Sequence, residues 1–84
     1  MNKHQIMLIR VDQRVQNADR LQKTLSAYGC GIRTRLGLHE TGNGDSCAND
    51  GLIILQLAAG VVDCDAFAAD LGKIDGVTAR LVEI

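Results

Sequence analysis

The amino-acid sequence predicts an α+β fold in which two helices cover one face of a four-stranded antiparallel sheet. Two observations predict it: apolar, strand-like runs and amphipathic, helix-like segments follow one another in the order βαββαβ, and turn-forming residues separate them. Two right-handed βαβ crossovers joined by a hairpin give a ferredoxin-like sandwich, with the first and third strands central. We expect residues 1–84 to form this one domain.

The first strand and helix are indicated by a change in hydrophobic period. Gln5–Val11 is a short apolar run typical of a buried strand, and Asp12 follows it as a candidate N-cap. In residues 14–28 apolar side chains recur at steps of three and four, which is the pattern of one helix face. Gly29 is predicted to end this helix at the C′ position.

The second strand is predicted at residues 30–38, where arginines alternate with other side chains. Arg33 and Arg35 are expected on one face, near an edge of the sheet. The opposite face is expected to hold Ile32, Thr34, Leu36 and Leu38.

The remaining elements follow a polar loop at residues 39–50. Residues 51–58 form a second dense apolar run, which predicts a buried strand. Asp63 or Asp65 is the expected N-cap of a second helix, and Asp75-Gly76 marks a turn before the last strand at residues 77–84. The core face of that helix is expected to consist of Phe67, Leu71 and Ile74.

The third strand is apolar on both of its faces, with Leu52 and Ile54 on one side and Ile53, Leu55 and Leu57 on the other. In this fold the chain's own helices cover only one face of the sheet. The second apolar face would be larger than soluble monomers usually expose. We therefore expect a homo-oligomer, a dimer or a tetramer, that assembles through the open sheet face; the alternative is a monomer with a more apolar surface.

Composition excludes several classes of function. Nine Lys and Arg residues against ten Asp and Glu give a net charge of −1, which argues against a basic nucleic-acid-binding module. Tyr28 and Phe67 are the only aromatic residues, too few for a base-stacking platform. The longest apolar segment, about 12 residues at 51–62, is too short to span a bilayer. A cytoplasmic protein with no membrane association is expected.

The residues that bear on chemistry are few. No nucleophile elbow or phosphate-binding glycine loop is present, so catalytic residues are not expected and neither is an enzyme. The thiols of Cys30, Cys47 and Cys64 are an odd number, which excludes complete pairing within one chain, and reduced structural thiols are expected. Arg33 and Arg35 are candidates for binding an anionic ligand, although a solvated strand face is the simpler interpretation.

The best candidate for a metal site is His39 with Cys47. Imidazole and thiolate favour transition metals such as zinc, nickel, copper or iron, and seven residues of hairpin loop separate the two. Glu40, Asp45 and Asp50 lie near them as oxygen donors. Such a site would need further ligands from a symmetry mate; the alternative is an exposed loop histidine and a packed cysteine.

Three segments resemble a known family: residues 32–38 (IRTRLGL), 51–57 (GLIILQL) and 71–77 (LGKIDGV). They resemble the iron-only hydrogenase system regulators, which are stand-alone, ACT-like modules of about this length. The resemblance covers essentially the whole chain and implies regulation rather than catalysis, in the hydrogenase system of an anaerobe. It names no ligand.

The chain is also similar to the effector-binding domain of the nickel-responsive repressor, an oligomer with metal sites built across subunits. His39 and Cys47 would supply part of such a site, while Thr41 stands where a further ligand would be needed. No ribbon-helix-helix segment accompanies the domain, so direct DNA binding is not expected. Residues 11–14 lack the glycine-containing turn of amino-acid-binding ACT domains.

Two functions therefore remain open. One is a regulatory ACT-like oligomer that senses a small effector or a metal ion. The other is a protein-interaction or assembly module with no small ligand. Both predict the same oligomer, and they differ in whether any small molecule binds the folded state in preference to the unfolded one.

Overall fold

The computed structural model describes residues 3–12, 18–39, 51–58 and 60–84. Its elements in chain order are β1 (Gln5–Val11), α1 (Ala18–Ala27), a 3-10 turn (Gly29–Gly31), β2 (Ile32–His39), β3 (Gly51–Leu57), α2 (Cys64–Gly72) and β4 (Val77–Glu83). The strands form one antiparallel sheet in the order β2-β3-β1-β4. The predicted α+β, ferredoxin-like class is confirmed, and so are the central positions of the first and third strands.

The core lies between one face of the sheet and the two helices. Alternate residues of the strands point into it because side chains of a strand alternate between its two faces. The buried apolar residues are Met7, Ile9, Val11, Leu21, Leu25, Leu55, Leu57, Phe67, Leu71, Ile74 and Val77. We call this side of the sheet the helix face and the other side the open face.

α2 begins and ends much as its sequence predicts. The Asp63 carboxylate accepts a hydrogen bond from the Ala66 backbone N–H at 3.1 Å, so Asp63 is the N-cap, and Asp65 lies in the first turn. Phe67 and Leu71 are fully buried, as predicted for the core face of the helix; Ile74, predicted on the same face, is buried too but follows the end of α2. The turn into β4 needs a left-handed residue, and Gly76 supplies it with a φ of 83°.

The end of α1 differs from the prediction. Gly29 is not the left-handed C′ residue, since the described glycines with positive φ are Gly60 and Gly76. The chain instead continues into the 3-10 turn, where the Gly31 N–H donates to the Tyr28 carbonyl at 2.9 Å. This turn carries Gly31 so close to Val62 that a Cβ at Gly31 would lie 2.4 Å from a Val62 methyl carbon.

β2 contains an irregularity that moves one side chain to the other face. Ile32 pairs with Leu57 and Thr34 pairs with Gln56, so two steps along β2 match one step along β3 and Arg33 is the extra residue of a bulge. Ile32 therefore lies on the helix face, where it packs against the core. The expectation that Ile32 shares a face with Thr34 is wrong for this reason.

None of the helices in the described part of the chain is long and apolar enough to cross a membrane.

Candidate functional site

The open face of the sheet carries a continuous apolar surface. Strand pairing sets its side chains in rows across the strands: Ile54 lies between Leu36 and Leu8, and Ile6 lies beside Val82. We call this surface the apolar band; its members are Ile6, Leu8, Leu36, Leu52, Ile54 and Val82. The Leu36 side chain is 51% exposed and Leu52 38%, although leucines of globular proteins are mostly buried.

Polar side chains flank the apolar band at two opposite corners of the open face. Arg10, Thr78 and Arg80 form one corner, where β1 meets β4. Thr34 and Gln56 form the other, where β2 meets β3. Because of these corners, the band runs diagonally across the sheet rather than along any strand.

The strand residues of the open face include no Asp or Glu, and Asp12 lies just beyond the end of β1, two residues after Arg10. Its charged side chains are Arg10 and Arg80, both at the β1–β4 corner. Next to the opposite corner, the Gln56 Nε2 lies 3.3 Å from the His4 Nδ1. The face therefore combines an apolar diagonal with one cationic and one neutral polar side, a composition suited to contact with protein.

A second candidate surface is an open groove of about 330 Å³ between α1 and α2. Three cations line it: Arg20 and Lys23 from α1, and Lys73 after α2. The groove also contains Tyr28 and Asp70, whose carboxylate lies 3.6 Å from the Lys73 ammonium. Arg20 already has an interaction of its own and Lys73 is paired with Asp70, so the groove can attract a small anion only with the modest strength that solvent-exposed charges give.

Tyr28 and Asp70 form the most specific contact in this groove. The Tyr28 hydroxyl donates to Asp70 Oδ2 at 2.6 Å, and the Tyr28 ring stacks on Phe67 with ring centroids 4.3 Å apart and an interplanar angle of 16°. The hydrogen bond raises the pKa of Tyr28, because the neutral hydroxyl is the donor, and burial adds to the rise. The same bond lowers the pKa of Asp70, helped by Lys73 and opposed by burial.

The comparisons with known proteins bear on the fold. The chain matches chains of solved structures that share this fold. TM1266, an uncharacterized protein of Thermotoga maritima, superposes with a TM-score of 0.70 over 99% of both chains, at 22% sequence identity. No family model and no curated protein matches the chain. At this level of sequence identity, the similarity shows only that the two chains share a fold, and the shared fold includes all the elements described above.

Of the two predicted metal ligands, His39 ends a described segment of the chain and Cys47 lies outside the described residues. His39 is the last residue of β2, where its backbone pairs with Gly51. The His39 side chain and Cys47, with Glu40, Asp45 and Asp50, lie outside the described residues. Within the described residues, no three His, Cys, Asp or Glu side chains are grouped closely enough to hold a metal ion. The site at His39 and Cys47 stays a prediction.

The two predicted anion-binding arginines are both exposed on β2, which is one of the two edge strands of the sheet. Arg33 is the extra residue of the bulge, and Arg35 pairs with Leu55, which places it on the helix face. Neither guanidinium forms an ion pair within the described part of the chain. The bulge interrupts the alternation of side chains between the two faces of β2. The spacing of Arg33 and Arg35 in the sequence therefore does not show that they lie on the same face, and a shared anionic ligand stays a prediction.

Cys64, at the start of α2, is not an activated thiol. Burial raises its pKa, and the neighbouring carboxylates of Asp65 and Asp63 raise it further.

Glu83, at the end of β4, accepts hydrogen bonds from two side chains near the start of the chain. The hydrogen bonds from Lys3, at 3.2 Å, and from Gln5 lower the pKa of Glu83. These contacts tie the start of β1 to the end of β4.

Sequence reasoning found the open face but missed the groove. The apolar residues on alternate positions of β1 and β3 are a local signal that a pattern can detect. Tyr28 and Asp70 are 42 residues apart, and the sequence does not distinguish either of them from the other residues of its segment. No local signal connects them, because only the packing of α1 on α2 brings them together.

Proposed function

We propose that this chain is a non-catalytic, ACT-like regulatory module that works as a homo-oligomer assembled through its open sheet face and responds to a small effector or a metal ion. The accessible apolar band carries this proposal. Leu36 at 51% exposure and Leu52 at 38% lie among further apolar side chains of the same face. A surface of this kind marks a site of protein contact.

A second copy of the chain is the simplest partner for this face. In a two-fold dimer the same surface serves both subunits, so one apolar band covers the other without a second protein. Each leucine or isoleucine that becomes fully buried contributes about 1.5–3 kcal/mol relative to full exposure, and partly exposed side chains contribute a fraction of this. The dimer thus removes from water what the two helices leave uncovered.

The regulatory part of the proposal rests on the resemblance of residues 32–38, 51–57 and 71–77 to the iron-only hydrogenase system regulators. This resemblance supports a role in that hydrogenase system. A cytoplasmic location fits the three cysteines, because they cannot all pair within one chain and thiols usually stay reduced in the cytoplasm. Two places are suited to an effector: the hairpin that carries His39 and Cys47, for a transition metal, and the cationic groove between α1 and α2, for a small anion.

The oligomeric state tests the open face directly. Leu36→Asp puts two like charges into an apolar interface, and we expect it to raise the dimer dissociation constant at least about 100-fold. The control is Val61→Asp, because Val61 is also a large exposed hydrophobic residue, at 60%, but lies outside the sheet. Sedimentation velocity from about 1 to 500 μM should show a dimer for the wild type and for Val61→Asp, and a monomer for Leu36→Asp.

Two outcomes would contradict self-association through this face. One is a wild type that stays monomeric over the whole concentration range. The other is equal dissociation of the Leu36→Asp and Val61→Asp variants, which would mean that any added charge disrupts the dimer.

Thermal unfolding tests the effector. Anaerobic melting with Zn²⁺, Ni²⁺, Fe²⁺, Co²⁺ or inorganic phosphate should raise Tm by several degrees for the ligand that binds, because a ligand at 100 times its Kd adds about 2.7 kcal/mol. A metal-specific rise that disappears in both His39→Ala and Cys47→Ser supports a metal sensor. If no ligand changes Tm, the effector is ruled out for this set and the assembly module without a small ligand becomes the better description.

A further inference from the structure

The diagonal course of the apolar band restricts how two copies can pack. Neighbouring strands lie about 4.8 Å apart and alternate residues of a strand about 6.8 Å apart, so the band, from Leu36 and Leu52 to Val82, lies at about 45° to the strands. When two identical faces meet, the two-fold axis lies in the plane between them. The direction of that axis relative to the band decides which side chains come into contact.

An axis perpendicular to the band is unfavourable. It places the cationic corner of one copy over the same corner of the other, so that Arg10 faces Arg80 twice. None of the strand residues of the open face is a carboxylate that could neutralise these four guanidinium groups, and Asp12, which directly follows β1, already has an interaction of its own. Like charges brought together at an interface repel one another and disfavour this geometry.

An axis parallel to the strands is also unfavourable. The two apolar bands then cross at right angles and overlap only near their centres. Arg80 of one copy would lie over Leu36 of the other, so a charge would lose water without gaining a polar partner.

We propose that the two-fold axis of the dimer runs along the apolar band, so that the bands coincide and the strands of the two sheets cross at about 90°. In this arrangement Leu36 packs against Leu52 of the second copy. The cationic corner of each copy meets the neutral polar corner of the other, with Thr78 opposite Thr34 and Arg80 opposite Gln56. This inference rests on the proposed function, because it specifies the dimer that the proposed function requires.

The size of the contact sets the concentration range. Four strands of seven or eight residues give a face of about 19 by 24 Å, and the accessible surface buried by both copies is on the order of 1,000 Å². This is at the lower end for a specific dimer, so we expect a micromolar dissociation constant. At this affinity, both an increase and a decrease of the dissociation constant caused by a substitution can be measured.

A double-mutant cycle on Gln56 and Arg80 tests the orientation. Gln56→Glu places a carboxylate opposite Arg80 of the second copy, twice per dimer, and should lower the dissociation constant about 3- to 10-fold. In the Arg80→Gln background this gain should disappear. Within one chain the two residues are two strands and one row apart, about 12 Å, beyond a Debye length in ordinary buffer, so coupling between them reports contact between copies.

Arg35→Gln is the matched control, because it removes the same charge from the helix face. In that background the gain from Gln56→Glu should persist. Sedimentation velocity of the five variants and the wild type gives every constant in the cycle and its control.

The results separate the two proposals. A wild-type dimer in which Gln56→Glu tightens association equally in the Arg80→Gln and Arg35→Gln backgrounds, or not at all, overturns the orientation and leaves the dimer intact. A dimer that tightens on Arg80→Gln alone also overturns the orientation, because Arg80 lies in an unfavourable contact in both rejected geometries, against Arg10 in one and against Leu36 in the other. A monomeric wild type overturns the proposed function itself.

Discussion

At the scale of single residues, the contact between Tyr28 and Asp70 links the two helices and can be measured in isolation. Tyr28 is the only tyrosine of the chain and there is no tryptophan, so the tyrosinate band at longer ultraviolet wavelengths, where thiolates do not absorb, reports the ionisation of Tyr28 alone. The Tyr28 hydroxyl must keep its proton to donate to Asp70, while the Asp70 carboxylate must stay ionised to accept most strongly. The hydrogen bond is therefore weakened at low pH, when Asp70 takes up a proton, and at high pH, when Tyr28 loses one.

We expect Tyr28 to ionise above its ordinary pKa of about 10, because the hydrogen bond to Asp70 and burial both raise the pKa. Asp70→Ala should bring the titration of the tyrosine absorbance back toward that value. Asp65→Ala is the control, since Asp65 is a carboxylate of the same helix that does not contact Tyr28. If the two variants titrate alike, the hydrogen bond is not what shifts Tyr28.

The direction of the stability change follows from the two shifts. The raised pKa of Tyr28 contributes stability that is fully present below the pKa of unfolded tyrosine and is lost as pH rises through the folded value. The lowered pKa of Asp70 contributes stability that is present above its unfolded pKa and is lost as pH falls through the folded value. Urea unfolding across pH should show both losses in the wild type and smaller ones in Asp70→Ala.

At the scale of elements, the 3-10 turn after α1 depends on the missing side chain of Gly31. Its carbonyl accepts a hydrogen bond from the Ala58 N–H at 2.7 Å, and Val62 packs directly over its Cα. This contact joins the end of α1 to the segment between β3 and α2. It is a close approach of backbone to a β-branched side chain that cannot easily turn away.

Gly31→Ala should therefore lower the free energy of unfolding by about 1–3 kcal/mol, because its Cβ would overlap the Val62 methyl groups. Gly29→Ala, two residues earlier, should leave stability unchanged or slightly higher, since no atom lies within 4 Å of its Cβ position and its φ is not positive. Adding Val62→Ala should recover part of the loss. Equal losses for the Gly29 and Gly31 variants in urea titrations would show that the overlap is not the cause.

The elements also show what pattern alone can and cannot predict. The order and type of all six main elements follow from hydrophobic period and turn residues, and Asp63 was among the predicted caps. The alternating pattern of β2 does not reveal the bulge at Arg33. One extra residue moves to the other face only the part of the strand that precedes it, and here that part is Ile32. The path after Gly29 was missed because the close contact of Gly31 with Val62 is tertiary.

At the scale of the whole molecule, the sequence predicted that one sheet face would need a cover, since β1 and β3 are apolar on both sides. It did not predict the diagonal form of the apolar band, which depends on the registers between β2, β3, β1 and β4. Nor did it predict that Arg10 and Arg80 would share a corner. Their positions on different strands become neighbours only through strand pairing.

The β2 edge of the sheet has a consequence for how far the proposed assembly can proceed. An edge strand offers unpaired backbone groups to any further strand, so chains that join by their edges can grow into fibres. On β2 the bulge at Arg33 breaks the regular spacing of those groups, and the exposed Arg33 and Arg35 side chains add charge beside them. In the proposed dimer, this blunting of the β2 edge would oppose the addition of further strands at that edge.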